Sequence, residues 1–494
     1  MRAVSAVALL ALMTLAGCTS TEAPPSQPPT APMPTEHGGM LRTFAGNDTV
    51  VTPAEFAGLG LAVRSTHHRG GEPNIGITSD GAMYVTAGPG VERSNDLGLT
   101  WTEVFNLTTF WGPAYNPEPT GTVYGLERSS DDMLWVDTDT DRIFADFMTG
   151  LYCSKLYYSD DGGASWIPSP IDCGVPVNDH QKVATGHYGP DVPVPLNPVY
   201  PNLVYYCYNK LAASSCAVSH DGGLTFNYDR AATIATTPQP DDPLTVQGPC
   251  GGINGHPAAA PDGTLYLPLN LGCPGPVVAV STNNGLSYVN RVGPTEHGAE
   301  EIDPDVTVTP DGTAYMQYRG SDHLQYLVRS KDRFQSFQGP WRVSPPDLRS
   351  TVFAGITSGD DGRIAMAYLG TRDTDKEPSL APNETRWHLF ETLSFDAGNA
   401  TPTFTTVQAT MDDSPVQIGC VWLNGGGNPC RNMLDFIDMT HTPDGRPVVV
   451  FSDGCTAGCD GNLNATNKDS RGRTITVAAL QSGPSLLASK GRFD

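Results

Sequence analysis

Residues 159–166 read Ser-Asp-Asp-Gly-Gly-Ala-Ser-Trp, and graded copies of this octad return four more times along the chain. The copies begin at residues 94, 159, 219, 281 and 330, so their starts lie 49 to 65 residues apart. The aspartate can hydrogen-bond the backbone of its own turn, the glycine accepts a positive φ, and the aromatic ring packs back onto a sheet. A repeat of this period predicts an architecture of successive similar units.

The aspartate and aromatic positions of the octads are the predicted structural corners of these units. They are Asp96, Trp101, Asp161, Trp166, Asp221, Phe226, Asn283, Tyr288, Asp332 and Phe337. The octad resembles the Asp-box, or bacterial neuraminidase repeat, of sialidases and other β-propellers. That resemblance implies a structural turn between the third and fourth strands of a blade, away from any active site.

A second repeat, Asp-Gly between alternating apolar runs, is typical of hairpin turns. It occurs at residues 80–81, 262–263, 311–312, 361–362 and 444–445, and degenerate turns follow at 138–141 and 201–202. These seven turns predict an all-β fold, a single β-propeller of seven four-stranded blades. Six blades remain the alternative if one turn is misassigned, and the last two blades have no recognisable octad.

The N-terminus has the features of an export signal. Arg2 precedes an apolar run at 4–15 that is too short to span a membrane. Small residues lead directly into Cys18, which resembles the bacterial lipobox, whose cysteine is lipidated; an ordinary signal peptide containing a cysteine is the alternative. The predicted organisation is a signal peptide at 1–17, a Pro/Thr-rich disordered tether at 18–42 and the propeller at 43–494.

The predicted location is therefore extracytoplasmic. The lipid would anchor the protein to the outer face of the cell membrane, or the protein would lie in the periplasm or on the outer membrane. Ten of the 11 cysteines lie beyond Cys18, and pairing of sequence neighbours is the simplest proposal for an oxidising compartment. The proposed pairs are Cys153 with Cys173, Cys207 with Cys216, Cys250 with Cys273, Cys420 with Cys430, and Cys455 with Cys459.

Charge and residue spacing exclude some partners. The formal net charge of -24, from 53 acidic and 29 basic residues, argues against a nucleic-acid binder. No cysteine or histidine spacing is typical of zinc. The acidic run Asp137, Asp139 and Asp141 lacks the glycine and distal glutamate of an EF-hand. The sequence thus predicts no metal centre and no cofactor, with a bound Ca²⁺ as the alternative.

Propeller geometry assigns the loops to two faces. We call the face where each inner strand begins the top face, and the face of the short turns the bottom face. The long insertions fall on the top face, at 106–134, 229–251, 370–385, 410–432 and 452–471. Long loops on a rigid scaffold usually carry function, so the top face is the predicted working side; stabilisation of exported loops by disulfides is the alternative.

Aligning the inner strands on their turns predicts a polar ring at the mouth of the central channel. Six residues before the turn aspartate stand Asn74, His256, Asp305, Gly355 and Asp438, and eight before it stand Glu72, Asn254, Asp303, Phe353 and Phe436. The candidate ligand-binding residues are Glu72, Asn74, His256, Asp303, Asp305 and Asp438, with His297 and Glu301 near them in sequence. Such a ring could hold a cation, a sugar or a peptide amine. Alternatively, the side chains bond each other and water in a solvated channel.

Because the octad resembles the sialidase repeat, sialidase activity is a second functional hypothesis. The resemblance implies three arginines that clamp a carboxylate, an aspartate acid/base, and a tyrosine nucleophile activated by a glutamate. Residues 67–74 lack the Arg-Ile-Pro-like motif of that family's first blade, and the family propeller has six blades. On residue type alone, the catalytic candidates are Arg69, Arg319, Arg372, Glu301, Asp303 and Asp305. Tyr318 matches the family's nucleophile in residue type but not in sequence context. The preferred function is binding of a glycan, peptide or protein partner, with a sialidase-like glycoside hydrolase as the alternative.

Overall fold

A computed structural model provides the fold. It describes residues 36–38, 41–45, 49–50, 61–87, 90–107, 128–149, 153–169, 179–196, 198–210, 213–227, 232–234, 253–269, 273–300, 303–410, 412, 414–423, 428, 430–431, 433, 435–454, 474–480 and 482–493. No helix within these residues combines the length and the apolar character that a membrane crossing requires.

Seven antiparallel sheets follow one another along the chain and form a closed ring. The inner strand of each blade contacts the inner strand of the next, and the seventh contacts the first. The prediction of an all-β, seven-bladed propeller is confirmed, and the six-bladed alternative is excluded. The cores lie between adjacent blades; one cluster, for example, joins Ile75 and Val85 of blade 1 to Val448 and Val477 of blade 7.

Each blade has an inner, a second, a third and an outer strand. The inner strands, in blade order, are Asn74–Ile77, Arg128–Asp137, Asp179–Gly186, Ala258–Ala259, Asp305–Val308, Ser350–Ser358 and Asp438–His441. The second strands are Met83–Ala87, Arg142–Thr149, Leu203–Lys210, Leu265–Leu269, Ala314–Arg319, Ile364–Thr371 and Pro447–Asp453. The third strands are Gly90–Ser94, Cys153–Ser159, Ala213–Ser219, Val277–Ser281, Gln325–Ser330, Arg386–Ser394 and Thr474–Leu480. The outer strands are Thr102–Asn106, Ile167–Ser169, Ala232–Ile234, Val289–Val292, Gln338–Arg342, Thr403–Gln408 and, in blade 7, Leu61–Arg69.

The outer strand of blade 7 comes from the N-terminal part of the chain. Leu61–Arg69 pairs antiparallel with Thr474–Leu480, so the two ends of the propeller share one sheet. Glu36–Gly38 adds a fifth strand to this blade, and Leu41–Ala45 adds one to blade 6, where Thr49–Val50 pairs with it. The first paired strand therefore lies inside the segment predicted as a tether, ahead of the predicted boundary at 43.

The remaining short elements are additional to the four strands of each blade. They are the strands Gln417–Ile418, Gly483–Pro484 and Arg492–Phe493 and the 3₁₀ helices Pro378–Leu380 and Ala488–Lys490.

The five octads form matching corners between the third and outer strands of blades 1 to 5. In blade 3, the carboxylate of Asp221 accepts hydrogen bonds from the Ser219 hydroxyl at 2.7 Å and from the Thr225 N–H at 2.8 Å and hydroxyl at 2.6 Å. The Ser219 hydroxyl accepts the N–H of Gly223 at 2.8 Å, and Gly223 has a φ of 91°. The corner aromatic reaches back to the preceding blade: Trp166 Nε1 donates to the Val104 carbonyl at 3.1 Å.

Blade 6 has a corner of the same kind that the octad pattern does not detect. Asp396 Oδ1 accepts the Ser394 hydroxyl at 3.1 Å, the Thr403 N–H at 2.7 Å and the Thr403 hydroxyl at 3.0 Å. The Ser-x-Asp start is intact, but the threonine stands seven residues after the aspartate instead of four. The longer turn keeps the hydrogen bonds and loses the sequence spacing.

Substitution of one corner aspartate tests this structural role. Asp221→Ala is expected to lower the free energy of unfolding by about 1–2 kcal/mol, because three hydrogen bonds are lost at a partly exposed turn. Asp221→Asn keeps one acceptor oxygen and should cost less. Urea denaturation of both variants checks the ranking; equal stability of Asp221→Ala and the wild type would show that the corner carries no stability.

Two predicted disulfides are present. Cys420 and Cys430 are joined within the top-face insertion between blades 6 and 7. Cys207 and Cys216 are also joined, but they are directly opposed residues of the second and third strands, buried in an apolar core. This bond therefore crosslinks a sheet and does not pin a loop.

Cys273 is also disulfide-bonded. The side chains of its proposed partner Cys250 and of Cys153, Cys173, Cys455 and Cys459 lie outside the described residues.

The degenerate turns differ in their structure. Residues 138–141 form the short turn predicted for blade 2. In blade 3, by contrast, residues 201–202 end a long connection from 187 to 202. The Asn202 amide donates to Asp137 and Asp139, and the Asp141 carboxylate accepts the Ser79 N–H. The acidic run of blade 2 thus bonds to neighbouring blades.

Candidate functional site

The starts of the inner strands bring together seven polar side chains at the top of the channel. We call them the channel-mouth cluster: Asn74, His180, Lys182, His256, Asp303, Asp305 and Asp438. Five of these are sequence candidates, and all seven are at least 90% removed from solvent. The side chains therefore contact one another, as the alternative interpretation predicted, but they form a buried cluster and not a solvated ring.

Two aspartates of the cluster join neighbouring blades. Asp438 Oδ2 of blade 7 accepts the N–H of Ile75 in blade 1 at 2.9 Å. Asp305 Oδ2 of blade 5 accepts the N–H of Ile356 in blade 6 at 2.9 Å. The second oxygen of each carboxylate accepts the N–H of the residue that follows it. These contacts give Asp305 and Asp438 a structural role in addition to any role in binding.

A buried ion cluster spans blades 3 and 5. Asp303 Oδ2 lies 3.4 Å from His180 Nδ1 and 3.4 Å from Lys182 Nζ. The Lys182 ammonium also sits 3.2 Å from the centre of the Phe436 ring, in a cation–π contact. Gly255 allows blades 4 and 5 to meet here, because a Cβ at that position would lie 1.6 Å from the Pro304 carbonyl oxygen.

The pKa values of the two histidines of the cluster are shifted in opposite directions by their surroundings. Burial disfavours the charged form of His180, but the hydrogen bond and charge of Asp303 outweigh it and raise the His180 pKa to about 9. Burial, and then the charge of Lys182, lower the pKa of His256 to about 3. At neutral pH, His180 is therefore a cation and His256 a neutral imidazole.

The three aspartates of the cluster also differ in their pKa values. Burial disfavours the Asp303 carboxylate, but the charge of Lys182 and the hydrogen bond of His180 outweigh it and lower the Asp303 pKa to about 2. Burial raises the pKa of Asp438 to about 6. Burial and the charge of Asp438 raise the pKa of Asp305 well above its ordinary value. Asp303 is thus a paired anion, whereas the charge of Lys182 lowers the Asp438 pKa too little to offset burial, and no cation offsets burial at Asp305.

A small pocket opens beside the ion cluster. Its lining consists of five polar side chains and one aromatic ring: Glu72, Asp132, Asp179, His180, Gln181 and Phe436. Glu72 Oε1 accepts the Asp435 N–H at 3.0 Å, and Arg431 holds the Asp435 carboxylate with two hydrogen bonds at 2.8 and 2.9 Å. The loop before blade 7 is therefore fixed to the start of blade 1 at the pocket edge.

Sequence reasoning missed His180 and Lys182. The long connection at 187–202 in blade 3 shifts any alignment that is anchored on the turn at 201–202. A usable signal was present in the strand itself, because His180, Gln181 and Lys182 open a strand whose interior is fully buried. Polar residues in a buried strand require partners, and that requirement points towards a cluster.

The pH dependence of stability tests the His180 pair. Since the folded-state pKa of His180 lies above its ordinary value of 6.5, its stabilisation is complete below pH 6.5 and is lost as the pH rises through about 9. We expect the stability difference between wild type and His180→Gln to shrink by roughly 3 kcal/mol over that range. Denaturant unfolding at pH 6 and pH 9.5 measures it; a difference independent of pH would contradict the pairing.

The arginine candidates are held separately. Arg319 Nη1 donates to Glu377 Oε2 at 3.3 Å and Nη2 to the Glu300 carbonyl at 3.0 Å. Arg372 Nε donates to Asp347 Oδ2 at 2.5 Å and Nη1 to Gln408 Oε1 at 2.7 Å. The two guanidinium groups share none of these partners.

Among the described side chains, Tyr318 and His297 do not assemble with the two arginines. The Tyr318 side chain is fully buried in the apolar core between blades 4 and 5. His297 stacks on the Tyr326 ring and is about one-third exposed, outside the channel-mouth cluster. Arg69 ends the outer strand of blade 7, and its side chain, like Glu301, lies outside the described part. No sialidase-like constellation is therefore visible among the described side chains.

A second, wider depression opens on the bottom face between blades 4 and 5. It is lined by residues of the corner and hairpin turns, including Asp262, Asp311, Lys331, Arg333 and Gln335. Arg333 Nη2 donates to Asp262 Oδ2 at 2.9 Å across it. This contact joins the corner turn of blade 5 to the hairpin turn of blade 4.

Comparisons with known proteins give structural neighbours only. No family model and no curated protein matches the sequence. A Dyadobacter fermentans protein of unknown function is 12% identical, with 85% of this chain and 98% of that chain covered, at a TM-score of 0.40. The Hadza microbial sialidase Hz136 is 14% identical, with 83% of this chain and 65% of that chain covered, at a TM-score of 0.37. An Aleuria aurantia lectin in complex with α-methyl-L-fucoside is 11% identical, with 66% of this chain and 92% of that chain covered, at a TM-score of 0.36.

Proposed function

We propose that this protein is a glycan-binding propeller whose ligand enters the channel mouth from the top face. The observation that carries the proposal is the polar pocket of about 10 Å³ beside the ion cluster, which has room for one hydroxyl-sized group, so a sugar would insert one hydroxyl there and lie above the opening. Carboxylates, amides and charged nitrogens can hydrogen-bond sugar hydroxyls. Peptide or protein ligands are the other outcomes of the test below.

Buried polar atoms beside the pocket support the proposal. Asp303 Oδ1 and Asn254 Oδ1 are buried and make no hydrogen bond in the described structure. Buried groups of this kind are costly unless a partner satisfies them. A hydroxyl-rich ligand, or the water that it displaces, would supply such partners.

An extracytoplasmic position is part of the proposal. Lipidation at Cys18 would anchor the protein, and the segment that follows would hold the propeller away from the membrane. Cys18→Ser should release the protein from the membrane fraction of its host while leaving the far-UV spectrum of the propeller unchanged. Retention of the variant in membranes would argue against the lipid anchor.

Array binding tests the location of the site. Protein starting at residue 36 is applied to glycan and peptide arrays beside two matched variants, Gln181→Ala in the pocket and Gln335→Ala in the bottom-face depression. We expect glycan hits that weaken at least about tenfold for Gln181→Ala and remain for Gln335→Ala. Binding that weakens for Gln335→Ala and remains for Gln181→Ala would place the site on the bottom face. Hits on peptides alone would show that the ligand is a peptide and not a glycan.

The sialidase-like alternative has its own assay. A fluorogenic sialoside should show no turnover above background, because Arg319 and Arg372 are engaged with separate acidic and amide partners. Turnover abolished by Arg69→Ala or Arg372→Ala would replace the binding proposal with a hydrolase.

A further inference from the structure

We propose that His256, Asp305 and Asp438 bind a divalent transition-metal ion of the Mn²⁺ or Zn²⁺ type at the channel mouth. One ligand atom from each side chain lies within 4.8 Å of the other two, and all three residues are buried. An ion with bonds of about 2.0–2.4 Å can bridge atoms at that separation. The site goes beyond glycan binding and does not depend on it.

The charges of the two carboxylates support the site. Asp305 and Asp438 accept two backbone N–H groups each, which leaves lone pairs on every oxygen. Within the described residues, no lysine or arginine lies within 4.0 Å of either carboxylate, and the one ion-pair partner of Asp438 is His256 at 4.0 Å. Neighbouring buried carboxylates are stable when they coordinate a cation or lose charge by protonation.

His256 supplies an independent observation. Its side chain is about nine-tenths buried, and its Nδ1 makes no hydrogen bond in the described structure. Its Nε2 shares a hydrogen bond of 3.4 Å with Asn74 Oδ1 and lies 4.0 Å from Asp438 Oδ1, so a metal bound at Nε2 would replace that hydrogen bond and leave the ring proton on Nδ1. The ring packs edge-on against Phe436, with centroids 5.3 Å apart, so its orientation is fixed.

The donor set selects the class of ion. A neutral imidazole suits Zn²⁺ and its first-row neighbours, whereas carboxylate and amide oxygens extend the range to Mn²⁺. Sites for Ca²⁺ use six to eight oxygen ligands, and a histidine is not among them. One nitrogen and two carboxylates, with Asn74 beside them, therefore favour a first-row ion over calcium.

A second group of metal-ligating residue types lies on the top rim and serves as the internal comparison. Glu300, His323 and Glu377 also come within 4.8 Å of one another, but they are partly or fully exposed. Arg319 donates to Glu377, so a guanidinium already compensates this group. The rim group therefore needs no ion for charge balance.

Metal content decides between the two groups. Chelator-treated protein is dialysed against Mn²⁺ or Zn²⁺, and the bound metal is measured by elemental mass spectrometry for wild type, His256→Gln and His323→Gln. We expect about one equivalent for wild type and His323→Gln, and at least about tenfold weaker binding for His256→Gln. No bound metal in the wild type, or loss confined to His323→Gln, would overturn the proposal.

A second measurement uses wild-type protein, so its result does not depend on whether His256→Gln folds. Electron spin-echo spectra of Mn²⁺-loaded wild type should show coupling to an imidazole nitrogen, which changes when the histidines carry ¹⁵N. Bound Mn²⁺ without nitrogen coupling would contradict ligation by His256. Because neither measurement uses a glycan, failure here leaves the array result unaffected, and failure of the array leaves the metal result unaffected.

Discussion

Replacement of Lys182 by methionine is expected to lower the free energy of unfolding by about 3–5 kcal/mol. The Lys182 side chain is fully buried, and its ammonium lies 3.4 Å from the equally buried Asp303 carboxylate. Methionine preserves much of the apolar stem but removes the positive charge. Asp303 would then depend on His180 alone, and an incompletely compensated buried carboxylate is costly.

The exposed pair of Lys331 and Asp311 provides the matched control for Lys182. Its atoms lie 4.0 Å apart with the lysine side chain 58% exposed, so Lys331→Met should cost less than about 1 kcal/mol. Adding Asp303→Asn to Lys182→Met should recover part of the lost stability, because the charge that needs a partner is gone. Denaturant unfolding measures all of these; equal effects of Lys182→Met and Lys331→Met would refute a buried ion cluster.

Removal of the N-terminal closing strand is expected to prevent stable folding. Leu61–Arg69 pairs at six positions with the third strand of blade 7. At roughly 1 kcal/mol per hydrogen bond, its loss removes several kcal/mol from a total stability that is commonly 5–15 kcal/mol. Loss of the strand also removes the pairing that joins the two ends of the propeller and leaves Thr474–Leu480 as an unprotected edge, which favours aggregation.

Graded truncations separate closure from the added outer strands. Protein starting at residue 61 lacks Glu36–Gly38 and Leu41–Ala45 but keeps the closing strand, whereas protein starting at residue 70 lacks all three. We expect the first to give a cooperative melting transition and the second to be insoluble or to lack one. A folded protein from residue 70 would mean that blade 7 does not need its fourth strand.

The repeated octads made the architecture predictable from the sequence. Their side chains act locally: Asp221 bonds to residues within four positions of itself, so the signal survives in a short window. The turn aspartates of blades 1, 4, 5, 6 and 7 placed the inner strands for the same reason. As a result, Asn74, His256, Asp305 and Asp438 could be aligned before their contacts were known.

Features that depend on distant contacts were not predictable in this way. The closing strand Leu61–Arg69 pairs with residues about 400 positions later in the chain, and no local pattern encodes that partner. The long connection of blade 3 displaced His180 and Lys182 from the alignment. The pairing of Arg319 with Glu377 likewise joins separate blades, so residue type alone could not show that this arginine was already engaged.

Selective histidine NMR tests the central claim, a buried ionic cluster at the channel mouth, most directly. With labelled imidazoles assigned by His180→Gln and His256→Gln, we expect His180 to remain protonated until about pH 9 and His256 to remain neutral down to about pH 3. Titration of both rings near the ordinary value of about 6.5 would place them in water. That result would contradict the cluster, and with it the proposed site on the top face.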